Sequence, residues 1–362
     1  MRDACLSISL SALQHNFRRV RQLAPHSKIM AMVKAEAYGH GAVLVAAALP
    51  QADAFGVAFL EEALMLRRAG ITQPIVLLEG VFSAEEMATA VRHQLAVVVH
   101  QASQIQLLEQ CAESGQLIVW LKLDTGMHRL GFSPEHALQA FQRIRAAKVT
   151  KDIGLITHFA AADIPDSEQT VQQIKSFRET QQKIMAVTGL QPFSSLSNSA
   201  GVLAWPDAHD SWVRPGIMLY GSSPFADQSA EALQLQPVMT LTSRLIAIQP
   251  VKKGQAVGYG GTWVAEKNTR IGIIAIGYGD GYPRHAANGT PVLIEGYEVP
   301  LAGRVSMDMI AVDLGDLPLQ EGASCVLWGQ GLSADRVAAH AGTLSYELFC
   351  KVTARVQRKI SR

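Results

Sequence analysis

The sequence predicts an α/β architecture: an N-terminal (β/α)8 barrel of the TIM type followed by a mostly β C-terminal domain. Eight short apolar runs recur between residues 29 and 214, separated by helical patterns with recognisable ends. Near Pro237 this rhythm breaks, and alternating β-rich runs punctuated by glycines take over. No Gly-rich dinucleotide fingerprint follows the first run of the series, which argues against a doubly wound sheet.

In chain order, residues 5–10 alternate apolar and polar positions like a half-buried strand, and Ser11 opens a helical pattern carrying His15, Phe17 and Val20. The barrel strands are expected at 29–33, 54–58, 75–78, 96–99, 117–123, 153–157, 193–196 and 212–214. Between them Ser83 and Glu86 form a capping box, and Ser133-Pro134 supplies an N-cap with proline in the first turn. Gly70, Gly115 and Gly189 stand where helices should stop. Past Pro237 the β runs are 239–251, 271–276, 292–294, 299–305, 309–314 and 325–328, and an amphipathic helix returns only at 345–358. A barrel of eight is complete without the first strand, so that strand is assigned to the second domain. The expected boundaries are 11–236 for the barrel, and 1–10 plus 237–362 for the C-terminal domain.

Composition sets limits on function. The chain has 362 residues, 48% of them apolar, so a sizeable core is within reach. A net charge of +1 gives no reason to expect nucleic acid or an anionic membrane as partner; a small neutral or zwitterionic ligand fits better. Cys5, Cys111, Cys325 and Cys350 are widely spaced, with neither a CxxC pair nor a disulfide rhythm, and are read as free thiols of a reducing compartment. The start Met-Arg-Asp-Ala-Cys lacks the apolar core and cleavage site of a signal peptide, and no stretch reaches membrane-spanning length. The expectation is a cytoplasmic protein.

One stretch organises the chemistry: Lys28-Ile-Met-Ala-Met-Val-Lys-Ala-Glu-Ala-Tyr-Gly-His-Gly41. It places Lys34 at the carboxyl end of a core strand, ahead of a Gly-bearing turn. Such a lysine either snorkels to solvent or sits desolvated with a lowered pKa, able to form an imine with a carbonyl compound such as pyridoxal 5′-phosphate. The stretch, and Tyr38-Gly39-His40-Gly41 above all, resembles the cofactor-binding motif of the alanine racemase family, a fold type III group of pyridoxal phosphate enzymes. Glu36 stands where the family form usually has asparagine.

Further motifs follow in family order. Lys122-Leu-Asp-Thr-Gly-Met-His-Arg-Leu-Gly131 leaves the fifth barrel strand. By its residues alone, Lys122 and Arg129 either meet Asp124 in a structural ion pair or Arg129 serves a carboxylate ligand. The segment resembles the family signature in which the arginine holds the substrate carboxylate and the lysine, often carbamylated, orients it. His158, at the end of the sixth strand, reads most simply as a satisfied core histidine; the resemblance implies that it contacts Arg214 of Trp212-Val-Arg-Pro-Gly-Ile217. An arginine opposite the pyridine nitrogen is a donor only, so the ring stays unprotonated and return of the proton to Cα is favoured over transamination.

Asn198, Ser199, Gly216, Ile217, Tyr38 and Tyr346 resemble the family's phosphate cradle, although serines after strands are mostly turn formers. The family often has a histidine shortly before the Asn-Ser pair; here the sequence is Ser195-Leu-Ser-Asn. In the second domain Val257-Gly-Tyr-Gly-Gly-Thr-Trp263 reads as a bulge or a hairpin. By resemblance Tyr259 is a second catalytic base given to the other subunit of a homodimer. Gly277-Tyr-Gly-Asp-Gly-Tyr-Pro-Arg284 contributes Tyr278 at the way into the site, and Gly303-Arg-Val-Ser-Met-Asp-Met309 contributes Met307, whose amide meets the substrate carboxylate, beside Asp308.

The resemblance covers essentially the whole chain. It implies pyridoxal phosphate-dependent interconversion of L- and D-alanine by two bases, Lys34 and Tyr259, supplying D-alanine for peptidoglycan or serving alanine catabolism. No metal is implied. The alternatives are a racemase of another small amino acid such as serine, a non-catalytic pyridoxal phosphate-binding protein, whose family stops at the barrel, and a decarboxylase of the same architecture. The last would pair the pyridine nitrogen with an acid and carry a cysteine in the second domain, neither of which is present in the matching motifs.

Overall fold

The computed structural model describes residues 3–114 and 116–361. The helix stop expected at Gly115, and the terminal residues Met1, Arg2 and Arg362, lie outside them. After β1 (Cys5–Ser9), the strands β2 (Lys28–Met32), β3 (Ala54–Val57), β4 (Ile75–Leu77), β5 (Ala96–Val99), β6 (Leu117–Lys122), β7 (Thr150–Ile156), β8 (Phe193–Ser195) and β9 (Trp212–Val213) close into a parallel barrel. Lys28 lies opposite Trp212 at the seam. All eight expected runs are barrel strands.

Alternation along each strand sets the packing. Met30, Met32, Ala54, Val76, Ala96, Val98, Trp120 and Ile156 form a cluster inside the barrel. Their sequence neighbours, Ala31, Phe55, Leu77, Val97 and Leu121 among them, belong to the larger core outside it, beneath the helices. Those helices are α1 (Leu10–Leu23), α2 (Lys34–Gly39), α3 (Ala42–Ala48), α4 (Leu60–Arg68), α5 (Ala84–Arg92), α6 (Ala102–Gln110), α7 (Pro134–Ala146), α8 (Glu168–Thr188) and α9 (Ser199–Ala204).

Local chemistry fixes several ends. Ser9, rather than the expected Ser11, caps α1, its Oγ accepting the Ala12 N–H. Ser83 Oγ accepts the Glu86 N–H as a capping box requires, but the Glu86 carboxylate reaches back to Phe82 N–H, one residue before the cap. Ser133 precedes Pro134 at the start of α7, and Gly189 ends α8 in the left-handed region at φ 68°.

The C-terminal domain is built on the 13-residue β10 (Met239–Val251). It continues through a hairpin of β11 (Ala256–Val257) and β12 (Trp263–Val264), then β13 (Thr269–Ile274), β14 (Pro291–Ile294), β15 (Tyr297–Pro300), β16 (Ile310–Asp313) and β17 (Ser324–Trp328). Then come α10 (Ala334–His340), α11 (Ser345–Lys351) and β18 (Gln357–Ser361). β1 joins this sheet, antiparallel to β10 and parallel to β18.

Three expectations need correction. The terminal helix ends at Lys351 instead of running to residue 358. Leu348, Val352 and Val356 do have helical spacing and are buried, but the Thr353 N–H goes to Asp280 O and the Gln357 N–H to Ala4 O, and these tertiary partners win over continued helix. α10 was not anticipated; its cap is Ser333, whose Oγ accepts from Asp335 N–H. The run expected at 299–305 stops as a strand at Pro300.

No helix among the described residues is long and apolar enough to cross a membrane, and no group of three or more His, Cys, Asp or Glu residues is arranged to hold a metal. All four cysteines are free.

The segment leading into β10 is tied to α1 by Asn16. Its fully buried amide donates to Leu219 O at 3.0 Å and Gln236 O at 2.8 Å, and accepts from Gln236 N–H at 2.8 Å. Asn16→Ala leaves three backbone groups without these partners, the Leu219 carbonyl buried and the two of Gln236 partly so, an expected cost of about 1–3 kcal/mol. A lowered urea midpoint measures it; an unchanged midpoint would remove Asn16 from this role.

Candidate active site

The parity that packs the barrel also aims its polar residues. Lys34, Lys122, His158 and Arg214 each stand two positions beyond an inward-facing residue: Met32, Trp120, Ile156 and Trp212. Each side chain therefore points back over the barrel axis at the carboxyl ends of the strands. With Tyr38, Arg129, Asn198, Ser199, Gly216, Ile217 and Tyr346 they line one cavity of about 610 Å³. Eleven expected site residues thus converge.

Behind Lys34 the chain does something rare. Ala35, Glu36, Ala37 and Tyr38 all take φ between 51° and 54° with ψ between 41° and 53°, a left-handed helical turn. Such a conformation costs L-residues roughly 1–2 kcal/mol each, so it persists only where tertiary bonds hold it. At its far end the Glu36 carbonyl accepts Gly41 N–H at 2.8 Å, and the Glu36 carboxylate accepts Ala42 N–H at 3.0 Å, capping α3. Glu36 thereby has a structural account. His40 Nδ1 donates to Ala37 O at 3.0 Å and Tyr38 O at 2.9 Å. Its ring stacks on Tyr220, 4.5 Å between centroids. Gly39 has no alternative, because a Cβ there would lie 2.1 Å from Phe349 O.

Burial lowers the pKa of Lys34; Glu79 opposes the shift and Arg129 adds to it. Lys122 is brought down to about 8, by burial first and then by Arg129. His158 is held well below its ordinary value by burial and then by Arg214, so its imidazole is neutral at physiological pH. Arg214 is lowered to about 9 by burial alone. No carboxylate among the described residues meets it. Its Nη1 donates to Ser195 Oγ at 2.6 Å, and its Nη2 to Thr157 O at 2.6 Å and Leu196 O at 3.2 Å, leaving Nε–H for a group in the cavity. No hydrogen bond joins His158 to Arg214 among the described residues.

The ion pair considered for Asp124 does not form. Asp124 Oδ1 accepts the N–H groups of Gly126, Met127 and His128, and Oδ2 pairs with His128 Nδ1 at 3.3 Å. Arg129 therefore reaches the cavity with no carboxylate partner among the described residues.

One wall of the cavity suits a phosphate. Ser199 Oγ accepts the Gly216 N–H at 2.8 Å and the Met218 N–H at 3.3 Å, so its own proton is left to donate. The Ile217 amide between them is engaged by no described acceptor. Tyr38 and Tyr346 lie with ring centroids 5.9 Å apart, and burial raises both phenols' pKa, keeping them neutral donors. A Cβ at Gly216 would sit 2.5 Å from Tyr38 Oη, so only glycine admits that hydroxyl. Asn198 caps α9 through Oδ1 to Gly201 N–H at 2.9 Å. Asp335 ties α10 to the end of the barrel by accepting from Ser222 Oγ and from Ser223 N–H, and Ser345 Oγ, bonded to the same Ser222 Oγ, holds α11 and Tyr346 there.

Four expected residues are absent from this cavity. Tyr259 stands at the tip of the β11–β12 hairpin and is 68% exposed. Tyr278 and Met307 are exposed on the same domain, and Asp308 is bonded to Arg355 at 2.5 Å. The β11–β12 pairing decides the hairpin over the bulge.

A model of the alanine racemase N-terminal domain matches residues 8–224, and one of the C-terminal domain matches residues 238–360. The chain belongs to the alanine racemase family. It is an isomerase by that membership. Alanine racemases of Photobacterium profundum and Vibrio cholerae are each 51% identical to it, aligned over 98% and 99% of this chain and 99% and 98% of their own. Among solved structures, the biosynthetic alanine racemase of Pseudomonas aeruginosa is 48% identical and superposes with a TM-score of 0.95, covering all of both chains. The match through the second domain leaves no support for a carrier confined to the barrel.

Sequence reading passed over Glu79, Ser195 and Thr157. Glu79 lines the cavity two residues past β4, a place that a search of every strand end reaches. Ser195 was set aside because the family form differs nearby, yet it anchors Arg214. Thr157 acts through its carbonyl, which no side-chain pattern reveals.

His40 makes the left-handed turn acid-sensitive. Burial depresses its pKa to about 4, against 6.5 for the free side chain. Below pH 6.5 the unfolded chain binds a proton that the fold excludes, so stability falls as pH drops toward 4, by about 3 kcal/mol over the window. His40→Asn should flatten this part of the stability profile in urea melts between pH 7 and pH 4; a profile parallel to wild type would contradict it.

Proposed function

We propose that this protein interconverts L- and D-alanine with pyridoxal 5′-phosphate as cofactor, acting as a cytoplasmic homodimer. The observation that carries the reading is a desolvated lysine facing, across one cavity, a buried arginine that no carboxylate among the described residues neutralises. Lys34 would hold the cofactor. Ser199, Tyr38, Tyr346, Asn198 and the Gly216 and Ile217 backbone would take its phosphate, and Arg214, with His158 near it, would face the pyridine nitrogen. When bound, the cofactor supplies a carbonyl for the amino group and a ring that spreads the electron pair left at Cα.

The chain's own residues do the rest. Arg129 has its donors free for the substrate carboxylate, and the Met307 amide, beside Asp308, serves the same group from the other subunit. Lys122, with a pKa near 8, has enough free amine for carbamylation, which would turn it into an anion that orients Arg129. Arg214 donates and accepts nothing, so a proton taken from Cα is not diverted to the ring nitrogen. Inversion then needs a base on each face. Lys34 works on the D-alanine side. The partner subunit's Tyr259 works on the L-alanine side, with Tyr278 of the partner subunit at the way in. In support, Tyr259 is exposed at a hairpin tip and lines no part of its own chain's cavity. The product serves peptidoglycan or alanine catabolism, and neither nucleic acid nor membrane is a partner.

Shared sites have a sharp consequence. Lys34→Ala and Tyr259→Phe should each abolish racemisation, followed as α-proton exchange in deuterated water with chiral separation of the products. Mixed in equal amounts and allowed to exchange subunits, the two should recover about a quarter of wild-type activity, since half the dimers carry one intact site of two. A mixture that stays inactive although mixed dimers are demonstrated puts Tyr259 in its own chain's site or out of the mechanism. Wild type that binds the cofactor but leaves both alanine enantiomers undeuterated refutes the assignment of substrate.

A further inference from the structure

We infer that Glu62 is a positioning residue for Lys34: its carboxylate bridges the N–H that opens the left-handed turn and the N–H groups that open α4, and so fixes where the lysine amine stands. The inference rests on the reading of Lys34 as the cofactor lysine. Glu62 belongs to a different β/α unit, in the first turn of the helix after β3. Its Oε1 accepts Ala35 N–H at 2.6 Å, while Oε2 accepts Ala58 N–H at 2.7 Å and Phe59 N–H at 3.3 Å.

The Lys34 backbone is thereby held on both sides. Val33 N–H, just before it, is bonded to Gly56 O of β3 at 2.9 Å, and Ala35 N–H, just after it, is bonded to Glu62. Both anchors lie on the same neighbouring unit. No other described acceptor reaches the Ala35 amide, and the turn it opens is one that L-residues adopt only under constraint. Read from sequence, Glu62 is an ordinary carboxylate at a helix start, and the role of its second oxygen becomes visible only in three dimensions.

Glu62 also acts through charge. It favours the ammonium form of Lys34, as does Glu79 from beyond β4 and, more weakly, Cys350 from α11. Arg129, Lys122 and His158 face the same amine, and burial and Arg129 push it the other way. Glutamine at position 62 would lose the charge and turn one acceptor into a donor, so it could not serve both sets of amides.

The test uses full-length wild type, Glu62→Gln and Glu62→Asp. Each is stripped of cofactor, mixed with pyridoxal 5′-phosphate across a pH series and quenched with borohydride at intervals, and peptide mass spectrometry reports the trapping at Lys34. For Glu62→Gln the plateau rate at high pH should fall on the order of ten- to a hundredfold through misplacement of the amine. The midpoint of the pH dependence should move to lower pH because a neighbouring carboxylate is gone. Glu62→Asp, charged but shorter, should keep a midpoint near wild type while the plateau stays low. If Glu62→Gln lowers the melting temperature but leaves plateau and midpoint unchanged, Glu62 only caps α4 and the inference is overturned. If wild type itself traps the cofactor at another lysine, the reading of Lys34 falls and this inference with it.

Discussion

The carboxyl end of the barrel depends on how a guanidinium is buried without a counter-ion among the described residues. Arg214 is almost wholly removed from solvent and, among the described residues, bonded only to neutral oxygens, one hydroxyl and two carbonyls. Burying a charge this way is costly, and the barrel offsets part of the cost with dipoles held rigidly at strand ends. The arrangement leaves the arginine a donor with nothing to take. Burial first, and then the field of Arg214, holds His158 neutral, and Arg214 adds to the larger effects of burial and Arg129 on Lys122.

Around it the barrel supplies direction and the C-terminal domain supplies closure. Alternation along parallel strands is a rule about core packing, and here it delivers four polar side chains to one axis. The second domain sends α11 back over the cavity with Tyr346, secured through Ser345, while turning the Tyr259 hairpin and the Met307 loop outward. One chain therefore offers two unlike surfaces, a lined cup and a set of exposed prongs.

Much of this was legible from residues alone. Apolar runs at short intervals reveal a barrel because each strand is buried on both faces, and the eight runs correspond to the eight strands. The same periodicity misled at the end of the chain, where Leu348, Val352 and Val356 keep helical spacing but Asp280 and Ala4 claim the backbone. Ser9 and Ser11 are equally good caps on paper, and only the chain's path chooses between them. The left-handed turn behind Lys34 carries no local signal, since Ala35, Glu36 and Ala37 all favour right-handed helix and the partners that overrule them are distant. The outward tyrosine was meaningful only through resemblance, because a lone tyrosine among glycines reads as a turn.

The pairing of β1 with β18 bears on how the molecule is made. β1 precedes the barrel in the chain, yet both of its neighbours, β10 and β18, follow the whole barrel. The barrel can close while β1 is still an unpaired edge, and the C-terminal sheet is complete only once β18 has been made. During elongation, then, the nascent chain carries a folded cup with an open seam, the stage at which a chaperone or a stray strand has its access.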